Sequence, residues 1–143
     1  MANVIYNSFF ADSKKAQINL ETDTIKVMLV TSTYVPNIDT HTKRSDVTNE
    51  VVGTGYTAGG ATLGSKTVTQ NNTTDAGVFD AADVTWTAST ITARGAVLYK
   101  DTGVAANDNL IAYIDFGTDQ ISSNGNFTIQ WNASGILSTS QGV

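Results

Sequence analysis

The glycine-rich segment EVVGTGYTAGGATLG, residues 50–64, is the part of the chain that most resembles a phosphate-binding loop. A P-loop has the pattern G-x-x-x-x-G-K-[ST] at the start of a helix, because backbone N–H groups and a lysine must face the phosphates. Gly55 and Gly60 have this spacing and Thr62 stands at the hydroxyl position, but Ala61 occupies the position of the lysine. Glycine also permits the left-handed backbone of tight turns. The segment therefore predicts a turn, and we assign no cofactor-binding residue.

Nucleophilic catalysis has few candidate residues in this chain. A hydroxyl nucleophile is usually activated by a base such as histidine, and the single histidine, His41, lies in a polar stretch between Asp39 and Lys43. No G-x-S-x-G elbow presents a serine. The chain has no cysteine, which excludes disulfides, thiolate metal sites and a cysteine nucleophile. We therefore predict a protein that is not an enzyme and has no catalytic residue.

Three carboxylates, Asp75, Asp80 and Asp83, are close together in TTDAGVFDAADVTW. Their spacing does not match the D-x-[DN]-x-[DN]-G calcium loop. Asp is common in turns and at the edges of strands, where its charge discourages aggregation. We predict that these residues have such roles and assign no metal ligand. A metal site assembled from separate loops stays an open alternative.

The charge balance bears on the partners that the chain can have. Eight Lys and Arg residues stand against thirteen Asp and Glu residues, a net charge of -5. Nucleic-acid binding normally needs a basic surface that displaces counterions from phosphates, and no such cluster is present. The chain also lacks an 18-residue apolar run and a basic region before an apolar N-terminal core. We expect no nucleic-acid or membrane partner, and synthesis without export.

Threonine, glycine and asparagine are abundant, and short stretches of alternating apolar and polar residues recur along the chain. Such stretches, without helices between them, predict an antiparallel fold. We predict a mainly β protein, an antiparallel β-sandwich or jelly-roll-like barrel with one short N-terminal helix. The 143 residues are expected to form a single β domain, with an N-terminal helical segment at residues 1–17 and a flexible tail at 138–143. The strands are expected in DTIKVMLVTS, KTVTQNN, DVTWTAS, TITARGAVLYKD, LIAYIDFG and NFTIQWNASGIL.

Three further features refine this prediction. In residues 23–32 the apolar run is nearly continuous, so we expect a strand that is covered on both faces. Residues 34–49 are polar, contain the only proline and predict a surface loop with one helical turn near Ser45.

Trp86 and Trp131 each have apolar neighbours two residues away, which favours core positions. The alternative, a carbohydrate-binding module, predicts an exposed Trp or Tyr platform, and full burial of both tryptophans would count against it.

Three motifs occur in a fixed order: DTIKVML at residues 23–29, GYTAGG at 55–60 and WNASGIL at 131–137. Together with the stretches around them, residues 3–137 resemble a family of small virion structural proteins of tailed bacteriophages. The resemblance implies a head decoration or cement protein that binds the outer capsid shell and stabilises it. The expected partners are the major capsid protein and further copies of the chain, as a trimer or dimer. A tail, baseplate or fibre-attachment component is the alternative.

The implied location is the virion, at the capsid surface or the tail, after assembly in the host cytoplasm. For such a protein, contacts are expected from apolar surface that is too short to form its own core and from long loops. The candidate contact residues are Ile5, Tyr6, Phe9, Phe10, Tyr34, Ile38, His41 and Arg44.

Overall fold

The β-rich sequence folds into two antiparallel sheets in a computed structural model that describes residues 2–142. The mainly β fold with a short N-terminal helix is confirmed, and it is consistent with a β-sandwich. The elements are β1 (Val4–Ile5), α1 (Asn7–Lys14), β2 (Ile25–Val30), a short 3-10 helix (Arg44–Asp46), β3 (Ala61–Thr62), β4 (Thr67–Asn71), β5 (Ala76–Asp80), β6 (Val84–Lys100), β7 (Leu110–Ile129) and β8 (Leu137–Ser140).

The larger sheet has the strand order β1-β7-β6-β2-β3, and the smaller sheet has the order β4-β5-β8. The long strands β6 and β7 pair with each other along most of their length. The sequence predicted two shorter strands in place of each, which is wrong. The pairing passes through irregular positions near Ser89 instead of a turn, where Ala88 and Asn124 have positive φ angles of 47°. A bulge of this kind bends a strand without ending it.

The strand β2 is covered on both faces, as its nearly continuous apolar run predicts. Ile25, Val27 and Leu29 belong to the main core, which also contains residues of the smaller sheet. Met28 and Val30 belong to a second core on the opposite face. That second core includes Tyr6, Tyr34, Val97, Tyr99, Leu110 and Tyr113. The N-terminal segment and the loop after β2 therefore both contribute to it.

The beginning of β7 differs from a regular alternation. The sequence predicts Leu110 on the face of Ala112, with Ile111 on the face of Tyr113. In the structure Leu110 lies in the second core with Tyr113, while Ile111 and Ala112 belong to the main core. A register shift between Leu98 and Tyr99 of β6 causes the exchange. One extra residue in a strand reverses the faces that follow it.

The predictions for the two ends of the chain are also wrong in part. The helix begins only at Asn7, because Val4 and Ile5 pair with β7. Residues 137–140 form β8 against β5, with Leu137 buried, so half of the predicted flexible tail, residues 138–140, is a strand. The strand β5 itself was not predicted. Residues 1 and 143, which belong to the predicted N-terminal segment and tail, lie outside the described residues.

The glycine-rich segment forms turns, as predicted. Gly55, Gly59 and Gly60 have positive φ angles, and a Cβ atom on Gly60 would collide with the carbonyl oxygen of Val27. The carboxylate of Glu50 holds the segment together. It accepts hydrogen bonds from the Tyr56 hydroxyl at 2.7 Å and from the Gly59 N–H at 2.6 Å.

Candidate functional site

The two segments that the sequence predicts as contact regions meet in the structure. The backbone N–H of Asn7, at the start of α1, donates to the carbonyl oxygen of Ile38 at 3.2 Å. The side-chain amide of Asn7 also donates to Asp39 Oδ1 at 2.7 Å. The N-terminal segment and the loop after β2 therefore form one continuous part of the surface.

A chain of buried hydroxyl groups lies beneath this junction. The hydroxyls of Tyr6 and Tyr34 are 2.8 Å apart, and the Tyr34 hydroxyl is 3.0 Å from His41 Nδ1. The N–H of Asn37 also points to His41 Nδ1, at 3.2 Å. Because that N–H can only donate, Nδ1 accepts, and the imidazole carries its proton on Nε2. It follows that Tyr34 donates to His41 and Tyr6 donates to Tyr34.

Burial has a clear electrostatic effect on these two tyrosines. It raises the pKa of both Tyr6 and Tyr34, because the phenolate form would lose its hydration. Their mutual hydrogen bond further raises the pKa of Tyr6. Both hydroxyls are therefore neutral donors at ordinary pH, and their role is to connect segments of the chain.

Burial decides which candidate contact residues can reach a partner. Tyr6, Phe9 and Tyr34 are buried within the chain, so their prediction as surface contacts is wrong. Each fills a core against the larger sheet. Ile5 is only partly exposed, because its side chain packs against the main core. The ring of His41 stacks on Tyr34, with 5.7 Å between ring centroids.

Arg44 is also engaged within the chain. Its Nε–H donates to Asp108 Oδ2 at 2.8 Å, and the Asp108 side chain is fully buried. The other oxygen of Asp108 accepts from the N–H of Thr102 at 2.6 Å and from its hydroxyl at 2.7 Å. Burial alone would lower the pKa of Arg44, but the hydrogen bond and charge of Asp108 outweigh it and raise the pKa. Arg44 thus fixes the loop to the β6–β7 connection.

Three apolar side chains of these two segments are available at the surface, and two of them, Phe10 and Ile38, are predicted contacts. Val35 and Ile38 are 61% and 37% exposed on the loop, and Phe10 is 42% exposed on α1. We call the exposed side chains of Val35 and Ile38 the loop face. Val35 was not among the predicted contacts, although it directly follows Tyr34 in the sequence. Phe10 lies elsewhere and lines a groove with Leu20 and Val68.

The two tryptophans have different environments. Trp86 is buried in the main core, as predicted. The core position predicted for Trp131 holds only in part, since β7 ends at Ile129 and Trp131 packs against the main core while it is only partly buried. Trp131 lines an open groove of about 500 Å³. The asparagine and glutamine residues around it, in NFTIQWN, are the sequence signal that could have indicated this position.

The carboxylates tested as metal ligands have local roles. Asp80 Oδ1 accepts from the N–H of Ala81 at 2.9 Å, and Asp83 Oδ1 accepts from the N–H of Trp131 at 2.9 Å. Asp75 is in a turn with a positive φ of 52°. Within residues 2–142, no group of three or more His, Cys, Asp and Glu side chains is placed to hold a metal ion.

None of the helices in the described part of the chain has the length and apolar character to cross a membrane. The chain matches no model of a known protein family, no curated protein and no solved structure.

Proposed function

We propose that this protein is a non-enzymatic structural protein of a bacteriophage virion that binds the outer capsid shell and stabilises it. The observation that carries the proposal is the loop face, where Val35 and Ile38 are exposed on a loop that the chain's own contacts hold in place. The sequence resemblance to virion structural proteins supports the same function.

The loop is anchored at several points along its length. The N–H of Thr31 donates to the carbonyl oxygen of Asn49 at 2.9 Å, and the N–H of Leu110 donates to that of Thr42 at 3.1 Å. Tyr34 is buried between these anchors. A loop that is already ordered loses little conformational entropy when it binds. The apolar side chains of the loop face can therefore contribute most of their burial energy to a partner.

The partner in this proposal is the major capsid protein. Two exposed aliphatic side chains give only a weak single contact, because each buried side chain contributes about 1.5–3 kcal/mol before the costs of association. A capsid repeats its binding sites over a symmetric lattice. If copies of the chain also associate as a trimer or dimer, their weak contacts act together and raise the apparent affinity.

The edge strand of the smaller sheet is a candidate surface for self-association. The strand β4 is at its edge, and all five of its residues are exposed. The backbone groups on the outer side of an edge strand can pair with a strand from another chain. Light scattering coupled to size-exclusion chromatography tests whether the chain self-associates. A mass of two or three chains supports it, and a monomer at all concentrations contradicts it.

The capsid contact is tested with capsids that lack this protein. Purified protein is added, the capsids are sedimented, and the bound fraction is measured. We expect the double variant V35D/I38D to bind at least about tenfold more weakly, because two charges would enter an apolar contact. The control is I121D, which adds a charge at a more exposed aliphatic side chain on β7. Unchanged binding by a folded V35D/I38D variant contradicts the proposed contact.

Deleting the N-terminal residues is a poorer test of the capsid contact than substitutions on the loop face. Tyr6 and Phe9 belong to the two cores, and Val4 and Ile5 pair with β7. Their loss would destabilise the fold and so reduce binding indirectly. Substitutions on the loop face avoid this problem.

A further inference from the structure

The groove around Trp131 has the chemistry of a binding site. Its aromatic side chains are Trp131, Phe116 and Phe127, and its amide side chains include Gln120, Asn126 and Gln130. The volume of about 500 Å³ is within the range of small-molecule sites, which is about 300–1,000 Å³. Polar and apolar side chains contribute comparably to the lining, which suits a ligand that has both apolar faces and polar groups.

The indole ring is held in a defined position. Trp131 Nε1 donates to the carbonyl oxygen of Ala82 at 3.0 Å, and its backbone N–H donates to Asp83 Oδ1 at 2.9 Å. Both partners belong to the segment between β5 and β6. Because these bonds use the polar edge of the indole, the exposed part of the ring offers apolar surface to the groove.

Two of these amides, Asn126 and Gln130, are available for a ligand, whereas the Gln120 amide donates to Thr118. Alternation along β7 places Asn126 and Thr128 on the face opposite Phe127 and Ile129, and Gln130 continues this pattern just after the strand ends. Within the described residues this part of β7 pairs only with β6, so the groove follows a strand edge that is bordered by side chains of both faces. Asn126 and Gln130 are exposed, and their side chains make no hydrogen bond within residues 2–142. A primary amide both donates and accepts, which suits the hydroxyl groups of a ligand.

The side chains that line the groove include no Asp, Glu, Lys, Arg or His within the described part of the chain. Ligands such as phosphates, nucleotides and acidic sugars need charged partners, so this lining favours a neutral ligand. Sugars combine an apolar ring face, which packs on an aromatic ring, with hydroxyl groups that bond to amides. We propose that the groove around Trp131 binds a neutral oligosaccharide, an activity beyond capsid binding.

The experiment follows the indole N–H signals of the two tryptophans by NMR during titration with chitotetraose, cellotetraose and maltotetraose. We expect at least one sugar to shift the Trp131 signal and not that of buried Trp86, with a dissociation constant of about 1 mM or tighter. The variant W131F identifies the Trp131 signal. It should keep binding, because the aromatic face remains.

The variant N126A/Q130A should bind about tenfold more weakly, because each lost hydrogen bond reduces affinity about three- to tenfold. It changes only exposed side chains, so its folding is expected to be normal. The variant W131A should also bind about tenfold more weakly or worse. The control is Q17A, an exposed glutamine outside the groove.

Three results would overturn the proposal. They are no binding of any of the three sugars, full binding by folded N126A/Q130A, or a preference for an acidic sugar such as tetragalacturonate. Each of these results is independent of whether the protein is found on a capsid.

Discussion

The hydroxyl groups of Tyr6 and Tyr34 lie 2.8 Å apart in the protein interior and join the N-terminal segment to the loop after β2. The same loop presents Val35 and Ile38 to solvent. A buried contact inside the chain therefore supports the exposed face that we propose as the capsid contact. This relationship has consequences for stability that can be measured without knowing the partner.

The first prediction concerns this pair. Y34F removes the hydroxyl that links Tyr6 to His41, and we expect the free energy of unfolding to fall by about 1–3 kcal/mol, because buried polar groups lose their partners. Chemical denaturation measures the change. Y113F is the matched control, since the Tyr113 hydroxyl makes no hydrogen bond within the described residues and should contribute little. Equal effects of the two variants would show that the hydroxyl link adds no stability.

A double-mutant cycle refines the same test. In the Y34F variant the shared hydrogen bond is already absent. The additional change Y6F should therefore lower the free energy of unfolding by less than it does in the wild-type protein. Additive effects of Y6F and Y34F would mean that the two hydroxyls act independently.

The second prediction concerns the glycine-rich segment. G60A places a Cβ against the Val27 carbonyl oxygen at a position where φ is +78°. We expect a loss of about 2–5 kcal/mol from the strained backbone and the steric clash together. G64A is the control, because its Cβ meets no atom within 4 Å, and it should change stability by about 1 kcal/mol or less. If G60A and G64A are equally stable, the turn does not require glycine at position 60.

The third prediction concerns Arg44 and Asp108. R44A leaves the buried Asp108 carboxylate without its cation, and we expect a loss of about 3 kcal/mol in the free energy of unfolding. K15A removes an exposed lysine from the end of α1 and should have little effect. Capsid binding by R44A should fall only to the extent that its folded fraction falls. A stable R44A variant that cannot bind capsids would instead make Arg44 a direct contact, as the sequence predicted.

The fourth prediction concerns pH. The N–H groups of Thr42 and Lys43 donate to Asp46 and lower its pKa, and the hydrogen bond from Arg94 holds the pKa of Asp115 well below its usual range. Because these pKa values are lower in the folded chain than in the unfolded chain, the carboxylates stabilise the fold fully above about pH 4. This stabilisation is lost as the pH falls through the lower folded-state values.

Denaturation curves between about pH 6 and pH 2 measure this dependence. We expect D46N to be less stable at neutral pH and to lose less stability on acidification than the wild-type protein. E21Q changes an exposed carboxylate that accepts no hydrogen bond within the described residues, and it serves as the control. An unchanged slope in D46N would assign the acid sensitivity to other groups.

Local composition was sufficient to predict some elements and not others. The strand β2 was predicted because β-branched residues and an apolar run occur together in DTIKVMLVTS. The strand β5 was missed because AGVFD, with glycine and aspartate, resembles a turn, and only its pairing with two neighbours makes it a strand. The bulges of β6 and β7 were missed for a related reason, since their hydrogen bonds involve residues far apart in the sequence.

The features of the candidate site were likewise predicted only in part from the sequence. The loop and its helical turn near Ser45 followed from polar composition, and Ile38 is exposed as a contact residue must be. The burial of Tyr6 depends on Tyr34 and β7, which the N-terminal sequence alone cannot indicate. Trp131 has the same alternating neighbours as a core residue, yet it follows the last paired residue of β7 and so lines the groove.

The central claim is that the protein decorates a capsid, and its copy number and position on purified virions test this most directly. Quantitative gel analysis combined with electron microscopy of labelled particles gives both. Our account predicts many copies, in a constant ratio to the major capsid protein, over the outer surface of the head. A few copies confined to the tail, or none on the particle, would contradict it.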